Sequence, residues 1–436
     1  MAALKADWNR RGPTTTTGGS ANAQTIAFTG RTVQSLVRGQ TYSFIAGFSN
    51  TGATTLKVDS LTATAIRYQN AALTGGEIVA GQTYQVVYDG TAYQIVSPIG
   101  AISQYNGFKN ILINGDLEIW QRGAGGTASI AASAGTSTYT ADRWYLATAA
   151  NQASVVSQQA GLTNGSRYCA RAQRNSGQTG TGGMTFAQPL TTDQVVAIRG
   201  SIITISARVR SGANWSPTSG AVSIQFWYGT GAEGKRTAGF TGDTQAATSG
   251  NVNLGTSSAV TLITGTSAAV IPTNAAQAEI QIAWSPTGTA GAADYVEIDE
   301  VQLEIGGNVT TFDRRPFSVG LSECQRFYWK SFPYGTAPAQ SGGVTGAITV
   351  KNPIALGDPS AYVQYPSRMR TTPTITTYNP SAANANWRDI TAGSDATVSV
   401  DPSTTKGDSG VLIATSGTVA TLGDILAIHL QADGDL

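Results

Sequence analysis

Short runs in which apolar and polar residues alternate one for one recur along most of this chain, and they restrict its fold more than any other feature. In residues 203–210 the apolar set is Ile203, Ile205, Ala207 and Val209; in residues 278–284 it is Ala278, Ile280, Ile282 and Trp284. A period of two puts such residues on one face of a β-strand, so Trp284 is core by parity. Tyr42, Phe44, Ala46 and Phe48 alternate in the same way, as do Tyr84, Val86 and Tyr88, and Asp89-Gly90 then supplies a hairpin turn before Tyr93, Ile95 and Val96. No long helical period accompanies these runs. Charged residues are 12% of the chain and glycine is 51 of 436 residues, which with abundant Thr and Ser favours short strands and turns. A chain of this length is too long for one core. The expectation is an all-β protein of serial β-domains, the largest a β-sandwich.

Composition shifts divide the chain. Residues 1–19 form a polar head with Trp8, Arg10 and Arg11, followed by Pro-Thr-Thr-Thr-Thr-Gly-Gly, which is linker chemistry. The head reads either as a tail that packs back on its own domain or as a docking peptide for a larger assembly. Residues 20–98 read as a small β-domain in which VRGQTY (37–42) returns as VAGQTY (79–84), implying two similar strand entries. In the connector, residues 99–109, Ile99, Ile102, Tyr105 and Phe108 are spaced by three; such a stripe packs on a neighbouring domain or, the preferred reading, on copies of itself about a symmetry axis.

The large domain spans 110–316. Its opening run, NILINGDLEIWQRG (110–123), keeps Ile111, Ile113, Leu117 and Ile119 on one parity across Asn114-Gly115, as a strand with a local bulge would. The closing strand switches parity from Val296 and Ile298 to Val301, Leu303 and Ile305, which places a bulge at Asp299-Glu300. In residues 222–228 the inward set is Val222, Ile224, Phe226 and Tyr228, which leaves Trp227 on the polar face, where a flat indole can cover the apolar face of a sugar. The alternative is burial of Trp227 under a loop or a partner. A Gly-rich loop follows at 230–250, carrying Lys235 and Arg236, and is either a binding loop or an ordered rim. After Arg314-Arg315-Pro316 a short helix is expected, with Ser318 as N-cap and Leu321, Cys324 and Tyr328 on one face. Strands are expected again over 347–354, 361–365, 373–378, 397–400, 410–415 and 425–431, in a C-terminal domain spanning 317–436 whose loops hold Tyr334, Tyr362, Tyr378 and Trp387.

NILINGDLEIWQRG, YTADRWYL (139–146) and VQLEIGGNVTTFDRRPFSVGLSECQRFYWK (301–330) together resemble bacteriophage tail-fibre proteins, as do GQTYSFIAGFSNTGATTLKVDSLTATAI and YVQYPSRMRTTPTITTYNP on either side of them. The pairing of NGDLE with EIDEVQL resembles carbohydrate-binding jelly rolls in which a structural calcium ties the first and last strands together. That resemblance implies Glu118 and Asp299 as oxygen ligands, with Asp116 and Glu300 as further candidates. The alternative is a salt bridge to Arg122, Arg143 or Arg314. Taken whole, the resemblance implies a virion protein made in the host cytoplasm: a tail fibre or receptor-binding appendage that assembles as a homotrimer. It would join the tail or another virion protein through its N-terminus and adhere to a host surface polysaccharide or lipopolysaccharide through Trp227, Tyr378, Trp387, Tyr362 or Tyr334. Recognition is expected first in the C-terminal domain, so that a chain ending at Lys330 should stay folded yet lose binding, with Trp227 as the rival site.

The residue inventory argues against other classes. Formal net charge is +1 with no basic run, so a nucleic-acid partner lacks its electrostatic footprint. No apolar run reaches membrane-spanning length, and no apolar signal segment opens the chain. The sole histidine, His429, has no recognisable nucleophile motif, and Cys169 and Cys324 are isolated, so neither a hydrolytic triad nor a zinc site is expected and both thiols read as buried and free. A non-enzymatic adhesin is the expectation. Its alternatives are a glycan-depolymerising tailspike-like hydrolase, which needs only two carboxylates, and a passive head or neck decoration.

Overall fold

The computed structural model describes residues 15–28, 32–68, 70–73, 75–96, 108–123, 129–256, 259–354, 358–401, 405–416 and 421–436. It is built almost wholly of β-strands and falls into two compact units, residues 1–107 with 305–308, and residues 108–304 with 309–436. Trp8, Arg10, Arg11, Ile99, Ile102 and Tyr105, assigned to attachment and to the connector, lie outside the described residues.

The first unit is a closed sheet. Its strands run in the order Thr15–Thr16, Thr41–Ile45, Thr83–Tyr88, Tyr93–Ile95, Thr64–Tyr68, Thr54–Val58, Ala23–Ile26, Gly18–Ser20, so the two ends of the sheet belong to one segment broken only at Thr17. Thr17 fastens that seam: its amide donates to the Ile45 carbonyl at 2.8 Å, and its hydroxyl accepts from the Gly47 amide at 2.7 Å and donates to Gln24 at 2.6 Å. Residues 15–19, expected as linker, are therefore strand; the β-branched threonines suit a pleated ladder, and closure removes the unpaired edges. The sequence echo has a structural counterpart. Gly39 and Gly81 both take positive φ (86° and 84°), each in a turn closed from residue 37 to 40 or from 79 to 82. The strands they feed pair antiparallel, with Phe44 opposite Tyr84. Only glycine takes that backbone region without steric cost.

The second unit opens with a jelly-roll sandwich. One sheet orders Ser129–Ala132, Ser154–Ala160, Tyr168–Arg174, Tyr295–Ile305, Ile203–Ser211, Thr261–Thr266; the facing sheet orders Ser137–Tyr139, Tyr145–Thr148, Met184–Leu190, Gln277–Trp284, Ala221–Gly229, Thr244–Thr248, with Val252–Asn253 also on Ala221–Gly229. The alternating sets read from the sequence are its core: Ile203, Ile205, Ala207, Val209, Ile224, Phe226, Ile280 and Ile282 are all buried. The bulge in the closing strand is present at Glu300, whose φ is 46°. A helix at Thr192–Ile198 was not foreseen, although Thr191 and Gln194 make the capping box that Thr-Thr-Asp-Gln spells out.

Residues 110–123 are not the expected strand. They are irregular yet almost wholly buried, and side-chain amides replace the missing ladder, as buried peptide groups require. Gln188 accepts from the Ile113 amide (3.0 Å) and donates to its carbonyl (2.7 Å). Asn110 donates to the Val301 carbonyl and accepts from the Leu112 and Leu303 amides. Asn114, at φ 55°, clamps Ile119 and the Asp142 carbonyl. The helix Phe317–Gln325 packs Cys324 and Leu321 on Ile113 and Ile119. Its N-cap is Pro316; Ser318 lies one residue inside and does not cap it.

The C-terminal residues form a second two-layer sandwich inside the same unit. Ile425–Asp433 is the central strand, pairing with Tyr328–Lys330, Ile348–Lys351, Thr374–Tyr378 and Trp387–Asp389, and a three-stranded sheet of Ser360–Gln364, Gly410–Thr415 and Val398–Val400 lies against it. An ionic joint ties this layer to the first sandwich. Asp435 lies 2.6 Å from Arg143 and 2.7 Å from Arg122, and Arg122 also meets Asp433 at 3.0 Å and Asp142 at 3.8 Å. The three sequence stretches that carry the tail-fibre resemblance thus converge: Gln121 of the first bonds Asp142 of the second and the Tyr328 carbonyl of the third.

Candidate functional site

The outer face of the sandwich's second sheet is the best-built surface in the described residues. Strand register arranges its outward side chains in rows perpendicular to the strands. One row runs Ser137, Ala147, Thr185, Ala283, Ser223; the next runs Tyr139, Tyr145, Ala187, Gln281, Gln225; the third includes Pro189, Glu279 and Trp227. The loop after Ala221–Gly229 folds back over the second and third rows. It is an ordered rim, because Gln277 accepts from the Gly231 and Thr241 amides and donates to the Ala232 carbonyl, while Glu233 accepts from the Thr192 amide and pairs with Arg370. At its centre the Arg236 guanidinium lies 3.5 Å from the centroid of Trp227, makes a forked contact with Asp243 and reaches Gln281 at 3.2 Å.

Glu279 lies beneath this rim, fully buried. Its carboxylate accepts from the Tyr145 hydroxyl (2.7 Å), the Gln281 amide (2.6 Å) and the Arg236 backbone N–H (3.0 Å), while burial pushes its pKa up. Lys235 sits 4.2 Å from the Tyr139 ring centroid, and burial lowers its pKa. The first row stays uncovered over four strands: Ser137, Ala147, Thr185 and Ala283 are half-buried and small, while Ser223 at its end is buried. With neighbouring strands about 4.8 Å apart, those four residues make a ledge roughly 14 Å long. The rim walls one side of it, and amides and hydroxyls stand along it.

The aromatic residues expected to stack on sugar fare differently. Trp227 is half-exposed on the polar face, but the ring face a sugar would need is held by Arg236. Trp387 is a correction: it is fully buried, its indole N–H donating to the Ala414 carbonyl at 3.0 Å, because 387–389 is an inner strand and not part of an exposed loop. Tyr378 packs edge-on against Phe332, and Tyr334 is tied by its hydroxyl to the Trp120 amide and the Glu118 carbonyl. Tyr362 remains exposed, with its hydroxyl end lying over Gly410 on the next strand, where no side chain competes for the space. The structure does not bring these five together. The row of small residues was missed, since no single strand shows it and it exists only once register is fixed.

The four carboxylates expected to share calcium do not converge. Asp116, Glu118 and Glu300 lie 3.8, 3.6 and 2.9 Å from the Arg314 guanidinium, which supplies the positive charge there. Asp299 belongs to another network, accepting from the Leu162 amide, the Ser166 hydroxyl and the Glu300 amide. No group of three His, Cys, Asp or Glu side chains among the described residues is placed to hold a metal. The salt-bridge alternative, with Arg314, is the one this geometry fits.

Burial raises the carboxyl pKa of Asp116 to about 6, of Asp142 to about 7 and of Asp299 to about 6, outweighing Arg314, Arg122 and the hydrogen bonds respectively. Unfolded aspartate titrates near 3.9, so between about pH 4 and 7 the folded chain holds more protons than the unfolded one. The stability these groups contribute is complete below about pH 4 and lost as pH rises through 6 to 7. Calorimetry of the second unit's transition is expected to show melting temperature falling over that window and levelling above it. Asp142→Asn should flatten the part nearest pH 7; a wild-type profile that instead rises from pH 4 to 7 would contradict the assignment.

No known protein-family model matches this chain, and no curated protein matches its sequence. Solved structures align with parts of it. The CBM22-1 xylan-binding domain from Paenibacillus barcinonensis Xyn10C is 15% identical, covering 41% of this chain and 99% of that one at a TM-score of 0.25. The enzymatically active domain of bacteriophage CBA120 tailspike protein 4 is 12% identical, covering 67% and 35% at 0.29. A Stig cyclase from Fischerella sp. TAU is 12% identical, covering 47% and 100% at 0.27. At such scores the ligands and activities of these proteins say nothing about this chain.

Proposed function

We propose that this chain is a receptor-binding appendage of a bacteriophage, working as a homotrimer that joins the virion through its N-terminal residues and holds a host surface glycan without cleaving it. The observation that carries the glycan reading is the ledge. A path of methyl and hydroxyl groups crosses four strands beside a rigid polar wall, and so matches an extended sugar chain that is apolar on its ring faces and polar on its edges. Thr185 stands on the path as a hydrogen-bonding group, Gln225 is taken up between Ser223 and Trp227 at its edge, and Trp227 acts through Arg236, bracing the wall. Retention without cleavage is supported by the state of the nearest carboxylates: Glu279 is enclosed by three donors and Asp243 is taken up by Arg236, whereas glycoside hydrolysis needs two carboxyl groups free to face the bond.

The test is retention of the full chain on immobilised host surface polysaccharide. Ala283→Phe, which fills the ledge, is expected to abolish retention, and Thr185→Ala to weaken it about tenfold, the effect of losing roughly 1.4 kcal/mol, both without shifting the melt. Retention unaffected by Ala283→Phe would remove the ledge from the mechanism. New reducing ends in the polysaccharide would replace the adhesin with a hydrolase.

A further inference from the structure

The opposite face of the same sandwich carries an open groove of about 380 Å³ where Ile203–Ser211, Thr261–Thr266 and Tyr295–Ile305 run side by side. Such a volume is at the small end of ligand sites. Arg208, Glu300 and Arg314 supply its charged lining, and Phe312, Leu262 and Val309 its apolar lining. The charges are not equivalent. Arg314 is shared among Glu300, Asp116 and Glu118. Among the described residues Arg208 engages only its Nε, on Glu300 at 2.7 Å, and its side chain is 38% exposed. The two terminal nitrogens of that guanidinium are thus held in a fixed orientation by the Glu300 contact and remain available, the arrangement that grips a carboxylate through two parallel hydrogen bonds. Beside it Leu262 and Val309 are 46% and 37% exposed, and Phe312 is half-buried, so three apolar side chains line the groove that holds the fork.

We infer that this groove is a second binding site, for a carboxylate-bearing sugar residue of an acidic polysaccharide, with the ring on the exposed Leu262 and Val309 side chains, since Arg314 lies over the Phe312 ring, and the carboxylate on the terminal nitrogens of Arg208. The ligand class rests on the glycan-binding reading above, but the site is on the other sheet and shares no residue with the ledge.

The experiment is calorimetric titration of the full chain with oligogalacturonate, with a neutral oligoglucan of equal length and with acetate. The uronate is expected to bind, more weakly at high salt, and the other two not to compete. Arg208→Gln should weaken uronate binding about tenfold or more while leaving the melt in place, since Glu300 keeps Arg314. Arg208→Lys, which keeps the charge and loses the fork, should fall between the two. Ala283→Phe and Thr185→Ala should leave uronate binding intact even where they abolish retention on host polysaccharide, so either site can fail alone. The inference is overturned if uronate does not bind, if Arg208→Gln binds it as wild type does, if the ledge variants abolish it, or if acetate or the neutral oligomer binds as well.

Discussion

Asp435→Ala is expected to destabilise the second unit by about 3–5 kcal/mol, the cost of leaving a buried charge without its partner. The carboxylate is 2% exposed and bridges Arg143 and Arg122. Arg143 is enclosed completely, with its guanidinium against the Phe327 ring and one terminal nitrogen on the Pro189 carbonyl; once Asp435 is gone that carbonyl is its only hydrogen-bond acceptor among the described residues. Arg122 keeps Asp433 and a longer contact with Asp142, so most of the loss falls on Arg143. Equilibrium unfolding in denaturant measures it, and a loss below about 1 kcal/mol, the size of an exposed pair, would mean that the joint is solvated. The double variant Arg143→Met with Asp435→Leu should recover much of the loss, because a buried pair replaced by apolar groups of similar volume costs little. A chain ending at Lys330 loses both this joint and the strand Ile425–Asp433 that pairs with Tyr328–Lys330. The independence expected of residues 1–330 therefore does not hold for this geometry.

How much of this was legible depends on whether the information is local to one strand. Parity within a strand is local: Ile203 to Val209, Ala278 to Trp284, the Glu300 bulge and most C-terminal strands follow from alternation, because burial of one face is what alternation encodes. The 110–123 run defeated the same rule. Its apolar residues keep one parity, yet the segment is buried on all sides and its peptide groups are met by Gln188, Asn110 and Asn114, the first of them 75 positions away and outside any local window. The Asn-Gly within it was read as a kink in a strand. Its purpose is closer approach: a Cβ on Gly115 would lie 2.3 Å from the Val301 carbonyl oxygen. The ledge was illegible for a related reason, since its residues come from four strands and become one row only through register. Arg314 was among the partners weighed for the acidic cluster, but nothing local to the sequence sets it beside Asp116, Glu118 and Glu300 together.

Trp387 shows how far composition and packing can diverge. A polar loop with an aromatic at each end suggests a sugar platform, for which Trp387→Ala would weaken binding and leave the melt alone. In the fold the indole lies between the two layers of the C-terminal sandwich, in one core with Val363, Met369, Ile413, Ile428 and Leu430, and its N–H reaches across to the Ala414 carbonyl of the facing sheet. Truncation there empties a large volume and strips that carbonyl of its donor, so Trp387→Ala is expected to cost about 3–5 kcal/mol. Trp387→Phe, which keeps most of the volume and loses the hydrogen bond, should cost nearer 1–3 kcal/mol. Because the Ile425–Asp433 strand that Trp387 covers continues into Asp435, the alanine variant should also loosen the ionic joint, and its effect should be less than additive with Asp435→Ala. Denaturant unfolding of the two single variants and the double variant decides it. An alanine variant with an unshifted melt and reduced glycan retention would return Trp387 to the surface and to recognition.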